Sequence, residues 1–325
     1  MAYCTSCGRP LTPGIAFCTA CGATVPPGSV AADATAPAAA PGGAALPAAK
    51  PRIDAGGIIG DSFRMAFRHF GAFFATQGVL LLLGALVGLA ITLLYVRPAT
   101  AALMDTMVGL QNAQPEDIDL METFQTMLPL LGWSALSGLL SGMFTLLAAG
   151  FGIVTADRLR RGEPAGPGAV WGALRPRFGN YIATSLLVGI ALAGVLVAGF
   201  ALFFLILPVL AAIVVAIWLY LRWALAAPVA IFETRRAGEN LARSSDLTKG
   251  VRGDLLMTVI VGIAIVLIPS LVAGAILGAG ADPESPELPP VWVDVARWAV
   301  GTGAQLVSAF FLSAAFVGFY RRLAG

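Results

Sequence analysis

All four cysteines of this 325-residue chain lie in one short stretch, YCTSCGRPLTPGIAFCTACG, residues 3–22. They form two pairs, Cys4-x2-Cys7 and Cys18-x2-Cys21, ten residues apart, and a glycine, Gly8 or Gly22, follows each pair. Two such knuckles present four thiolates as a tetrahedron about 2.3 Å from a Zn²⁺ ion, and the glycines let backbone N–H groups turn toward sulfur. With only Tyr3, Leu11, Ile15, Phe17 and Val25 as bulky side chains, the segment is too small for a hydrophobic core. Metal must then supply the folding free energy, and structural Zn²⁺ in small peptides contributes about 10–16 kcal/mol at neutral pH. Because sulfur fills all four positions, no site is left for a substrate water, so the expected Zn²⁺ is structural. A four-sulfur iron site and a redox dithiol are the alternatives that the same spacing allows.

The rest of the chain must anchor this cluster, and its composition says where. Hydrophobic residues make up 58% and charged residues 12%, against roughly 45–50% and 25% in soluble domains. Mean hydropathy is +0.84. Runs such as GVLLLLGALVGLAITLLYV and LLMTVIVGIAIVLIPSLVAGAILG reach the roughly 20 residues a helix needs to cross about 30 Å of hydrocarbon. The expected fold is an all-α polytopic membrane protein with six transmembrane helices, at about 73–96, 129–154, 181–206, 208–230, 255–279 and 293–319, preceded by a small N-terminal zinc ribbon. Gly84-x3-Gly88, Gly138-x3-Gly142 and Gly274-x3-Gly278 have the spacing that lets such helices pack closely.

Three domains follow: the ribbon at 1–25, a tether at 26–54 and the membrane domain at 55–325. The tether, PPGSVAADATAPAAAPGGAALPAAKPRID, has the composition of a disordered linker and would separate its ends by about 30 Å as a flexible coil. The first 25 residues hold one charged side chain, Arg9, and no apolar run, so no secretory signal is expected. In IIGDSFRMAFRHFGAFF, Ile59, Phe63, Ala66, Phe67 and Phe70 share one helical face while Asp61, Arg64 and Arg68 share another, the pattern of a helix lying in the membrane interface.

Charge orients the spans. Residues 97–128 carry Asp105, Glu116, Asp117, Asp119 and Glu122 against Arg97 alone, and ADPESPELPPVW has three acids and no base; both read as outer loops. Residues 155–180 carry five arginines against two acids and read as cytoplasmic, as does the closing YRRLAG. Tyr95, Arg97 and Pro98 read as the stop after span one, Pro115 as the start of a short helix before span two, and Pro208 as the hairpin between spans three and four. Both termini are expected in the cytoplasm, where disulfides seldom persist.

Residues 3–25 resemble the short zinc-ribbon modules at the N-termini of many bacterial membrane and regulatory proteins. The resemblance implies a small interaction or sensing module at a bacterial cytoplasmic membrane. A nucleic-acid partner is not expected, since a phosphate-binding surface needs several Lys or Arg and Arg9 stands alone.

A second informative stretch is RWALAAPVAIFETRRAGENLARSSDLTKG, residues 222–250. Glu239 precedes Arg243 by one helical turn, the favourable order for an ion pair, and Gly250 can cap the helix C-terminus. Arg222 is the base set deepest in an apolar run; it snorkels to the interface or pairs with Glu233 or a lipid phosphate. Asp294 and Arg297 have the spacing of an interfacial ion pair.

This stretch resembles the membrane domain attached to some glycerophosphoryl diester phosphodiesterases and its stand-alone relatives. The match rests on Pro228 before Glu233, then Leu241, Arg243, Ser244, Leu247, Thr248, Lys249 and Gly250, while Ser245 and Asp246 stand where the family often has tryptophan and a base. In that family the phosphodiesterase activity belongs to a separate soluble domain. Arg222, Glu233, Arg243 and Lys249 are thus candidates for contact with membrane lipids or with a cytoplasmic or membrane protein partner.

No acid–base or nucleophilic constellation surrounds His69, the single histidine, and no enzyme activity is expected. Transport needs ionisable or clustered polar groups near the midplane, and at that depth the spans offer, apart from scattered Ser and Thr, only Gln305. The expected function is a non-catalytic adaptor, scaffold or regulator with a cytoplasmic ribbon; the alternative is a transporter or lipid-interacting protein that the ribbon regulates.

Overall fold

A computed structural model describes residues 54–112, 120–201, 206–233, 236–278 and 288–324. All belong to the second of the two units into which the chain divides, Ile53–Gly325. The ribbon with Cys4, Cys7, Cys18 and Cys21, the tether to residue 53, and Pro115 with the acids at 116–119 lie outside the described residues.

Six helices among the described residues are long and apolar enough to cross a membrane: Phe70–Gly109, Phe124–Arg160, Pro167–Gly199, Pro208–Phe232, Arg252–Leu277 and Val291–Ala324. Their outward surface is apolar, with Leu139, Ile190, Val214 and Ile276 between 65% and 69% exposed. Long helices that turn such side chains outward match a hydrocarbon solvent, in which all backbone polar groups must be satisfied within the helix.

Helix α1 (Ala55–Arg68) is capped by Asp54, whose Oδ1 accepts from Gly57 N at 2.9 Å. Its buried face is Ile58, Ser62 and Ala66, while Phe67 and Phe70 point outward. The expected apolar face is therefore turned by about one residue, because α1 packs along the last helix, where Phe63 stacks on Phe311 at 4.4 Å. Close contact with protein puts Ile58, Ser62 and Ala66 on the inner face, with Phe63 at its edge, and leaves Phe67 largely exposed.

Next come α2 (Phe70–Phe73), a π-helical turn (Phe74–Gly78), α3 (Val79–Ile91), a second π-helical turn (Thr92–Val96) and α4 (Arg97–Asn112). The expected stop at Tyr95, Arg97 and Pro98 does not end the helix. The wide turn before Pro98, in which Arg97 N donates to Thr92 O, makes room for a ring that would clash with a normal α-helical turn. Helix α5 (Leu120–Arg160) is one 41-residue rod containing Pro129, in place of a short helix followed by a span. At 1.5 Å per residue it is about 60 Å long, about twice the hydrocarbon thickness.

After α6 (Pro167–Leu174) and a 3₁₀ turn (Arg175–Arg177), α7 (Phe178–Ala201) and α8 (Ile206–Trp223) pack side by side. Pro208 lies in the first turn of α8, where a missing N–H is harmless, and not at the hairpin itself. Gly199 makes the pairing close, since a side chain there would strike Ala212. The chain continues through α9 (Ala226–Phe232), α10 (Ala237–Thr248), α11 (Arg252–Gly278) and α12 (Val291–Ala324).

Of the three small-residue motifs, only the first sits at a described contact. A Cβ at Gly84 would meet the Phe144 side chain at 2.6 Å and one at Gly88 would meet Ser141 Oγ at 3.1 Å, so α3 and α5 approach through these glycines. Gly138, Gly142 and Gly274 face open space. Burial concentrates at one end of the body. Phe73, Val154, Val170, Leu174, Tyr181 and Ile231 form one cluster with Phe310 and Val317, and Ile58, Leu225, Val229 and Leu255 form another with Phe319. This packed end carries Arg158, Arg160, Arg161, Arg177, Arg243, Arg321 and Arg322, whereas Arg97 and Arg297 lie at the opposite end, where the outward-facing stretches of α5 and α11 are loosely covered.

Candidate functional site

At the basic end the segment 222–250 folds back as a unit. Proline at 228 lacks an N–H, and a break at Ala224 and Leu225 separates α8 from α9, leaving carbonyls at the α8 terminus without helical partners. Helix α10 supplies substitutes. Ser244 Oγ and Thr248 Oγ1 both donate to the Arg222 carbonyl, at 3.3 and 3.1 Å, and Arg222 Nε donates to Ser245 Oγ at 2.8 Å. The Arg222 guanidinium also lies 5.3 Å from the Trp218 ring, which shields its charge within an apolar run.

Arg222 therefore holds α10 in place and does not pair with Glu233. The serine at 245, too small to cover the guanidinium, instead accepts a hydrogen bond from it. Glu233 turns the other way: its Oε1 accepts from Arg243 Nε and from Tyr320 OH, each at 3.3 Å. Arg243 therefore leaves Glu239, its expected partner one turn earlier, for a carboxylate at the end of α9. A residue already half covered by α12 offers a better-shielded carboxylate than an exposed one on the same helix. Lys249 pairs with Asp246 at 2.8 Å on an exposed surface, and Gly250, with φ +89°, caps α10 as expected. The structure thus joins Glu233 to Arg243 and Arg222 to α10, and leaves Lys249 outside the cluster.

The centre of this end is a group the sequence reading did not single out. Asp157, 1% exposed at its side chain, accepts from Arg321 Nε on α12 at 2.7 Å and from Arg161 on its own helix at 2.6 Å. The Arg321 guanidinium lies 5.1 Å from the Phe232 ring, and Phe232 packs on Tyr320 at 5.3 Å. One connected set of charges and rings therefore ties the ends of α5, α9, α10 and α12 together. In the sequence, Asp157 was visible only as an acid one turn before an arginine, and Arg321 only as terminal basic charge.

At the opposite end Asp294 pairs with Arg97, whose Nη2 also donates to the Pro289 carbonyl at 2.6 Å. This replaces the expected Asp294–Arg297 pair. Arg97 approaches from a neighbouring helix with its head directed at the carboxylate, whereas a pair within one helix must bend along the surface.

Among the described residues no group of three or more His, Cys, Asp or Glu could hold a metal ion. Cys4, Cys7, Cys18 and Cys21, the expected Zn²⁺ ligands, lie outside the described residues. Residues 3–25 match the family model described as a zinc-ribbon domain. Comparisons with curated proteins and with solved structures gave no significant match. The chain thus combines an N-terminal zinc ribbon with a helical body able to cross a membrane six times.

Proposed function

We propose that the protein is a non-catalytic multi-pass component of the bacterial cytoplasmic membrane that acts as an adaptor, scaffold or regulator through a Zn²⁺-loaded ribbon. The observation that carries this reading is the ribbon match at residues 3–25 on a body with six membrane-length helices. Cys4, Cys7, Cys18 and Cys21 hold the metal, and the closed set of sulfurs assigns it a folding role. Both ends of the described body lie together, with Arg322 Nη1 donating to the Asp54 carbonyl at 3.4 Å, and that end is the basic one. By the positive-inside rule, this arrangement supports the reading that both termini are cytoplasmic.

The likeness of the body to the membrane domain of glycerophosphoryl diester phosphodiesterases belongs to this proposal. It is supported by Pro228 and α10 acting as one unit at the basic end, where Arg222, Glu233 and Arg243 organise the surface and Lys249 stands exposed toward lipid headgroups or a protein partner. The test is crosslinking in membranes of the full chain and of a form lacking residues 1–25. Loss of specific partners from the shortened form is expected; identical partner sets would remove the ribbon as the adaptor surface.

A second reading, lipid interaction or transport regulated by the ribbon, is favoured by one observation. Two half-open voids between the helices share lining residues, among them Gln305 in the middle of α12.

A further inference from the structure

The voids occupy about 430 and 400 Å³ and share Leu81, Thr145 and Gln305 as lining residues. The first lies among α3, α5 and α12. Its wall carries Thr92, Ser137, Ser141, Thr145 and Thr302, and Arg297 stands at its mouth at the loosely covered end. The second reaches deeper, to Gln77, Ser313 and the broken segment between α8 and α9. It shares Tyr220, Ser308 and Leu312 with a third space, an apolar groove of about 1010 Å³ between α7–α8 and α11. Polarity thus falls along one connected route, from a guanidinium through hydroxyls and amides to aliphatic side chains.

Three departures from regular helix line this route. The first π-helical turn supplies Gln77, the second supplies Thr92, and the α8–α9 break supplies Ala224. Irregular backbone at membrane depth occurs where it lines a cavity, and π-turns are frequent at functional sites. Gln305 and Arg297 have no hydrogen-bond or ion-pair partner among the described residues, and both are exposed to the space. An amide left unpaired in the middle of a membrane-length helix is costly unless something polar meets it.

We infer that this graded cavity binds one anionic acyl lipid, its head at Arg297 and the hydroxyl-lined void and its chain running past Ser308 into the α8–α11 groove. The inference rests on the lipid-interaction reading above. Sign follows from the described lining residues: Asp294 is committed to Arg97, so among them Arg297 is the charge left to meet a ligand, and it favours an anion. Thr92 spends its proton on the carbonyl of Gly88, leaving an acceptor oxygen for a hydroxylated head, while Gln305 retains both donor and acceptor. The groove, lined by Leu196, Ile217, Leu256, Ile263 and Leu267, offers an acyl chain a mostly apolar wall, and its two serines, Ser270 and Ser308, already donate to helix carbonyls.

The test uses the full chain reconstituted in vesicles of phosphatidylethanolamine and phosphatidylglycerol in equal amounts, with native mass spectrometry counting the lipids retained after extraction. Wild type is expected to keep one phosphatidylglycerol. Retention should fall about tenfold in Arg297→Gln, whose site is exposed and leaves the fold intact, and similarly in Leu312→Trp, which narrows the junction with the groove. Heating in detergent gives an independent readout: added phosphatidylglycerol should raise the unfolding temperature of wild type and not of Arg297→Gln. Equal retention by wild type and both variants would overturn the site while leaving lipid interaction standing. Equal retention of the two lipids by wild type would overturn the anionic head. No retained lipid in any form would overturn the site together with the reading beneath it.

Discussion

Side chains at the basic end differ greatly in what they contribute, and burial decides the order. Asp157 is 1% exposed, so removing its charge leaves two guanidiniums without their shared acceptor. Breaking a fully buried pair costs about 3–5 kcal/mol, but Arg161 and Arg321 are about half exposed and water compensates them. Asp157→Asn is therefore expected to cost about 1–3 kcal/mol, read as a lower unfolding temperature in detergent, whereas Asp246→Asn on the exposed surface should stay within about 0.5 kcal/mol. Equal effects would show that the connected cluster is no more than surface charge. For the ribbon, Cys4→Ser should reduce bound Zn²⁺ from one per chain to a readily chelated fraction, measured by elemental analysis before and after EDTA. Because thiolates must stay deprotonated, wild-type Zn²⁺ should be released as pH falls well below neutral. Tight iron in place of zinc would reassign the site. At this scale the sequence reading found the four cysteines because their signal is wholly local. It missed Asp157, because an aspartate beside arginines looks the same whether it faces water or a neighbouring helix.

Helix positions follow from hydropathy, and helix relations do not. The six spans were legible because a run of about 20 apolar residues has one low-energy home, and each run carries that information by itself. Gly250 was legible for the same reason, since a glycine after a helix of mixed polarity points to a left-handed cap. Contact between helices needs a second surface that no local window contains. Gly84, Gly138 and Gly274 begin identical motifs, yet only Gly84 meets a neighbour. Gly84→Leu is accordingly expected to push α3 from Phe144 and lower stability by about 1–3 kcal/mol, with Gly138→Leu close to neutral, both followed by thermal unfolding. A larger loss at Gly138 would show that the open face of α5 is covered in the membrane by another surface.

For the whole molecule the expectation concerns sidedness. With the ribbon cysteines replaced by serine, Leu110→Cys and Ser285→Cys should react with an impermeant maleimide added outside intact cells, and Lys249→Cys only after the membrane is opened. Labelling of residues 110 and 285 from the cytoplasmic side would reverse the proposed topology. The sequence by itself determined the class of molecule: an apolar helical body of six spans, a basic face, and a four-thiol ribbon at its start. Composition, hydropathy and cysteine spacing are properties of neighbouring residues, and membrane insertion reads them much as we do. Only the tertiary structure decided who meets whom. Arg97 finds Asp294, Arg321 finds Asp157, and Ser313 donates to Gln77 at 3.3 Å, each across far-separated parts of the chain. The graded cavity around Gln305 likewise has walls from five or more helices. The physical reason is rotational: successive helical residues point about 100° apart, so a shift of one residue exchanges lipid-facing for inward-facing side chains. In spans so uniformly apolar, hydropathy hardly changes under that shift, and packing alone sets it.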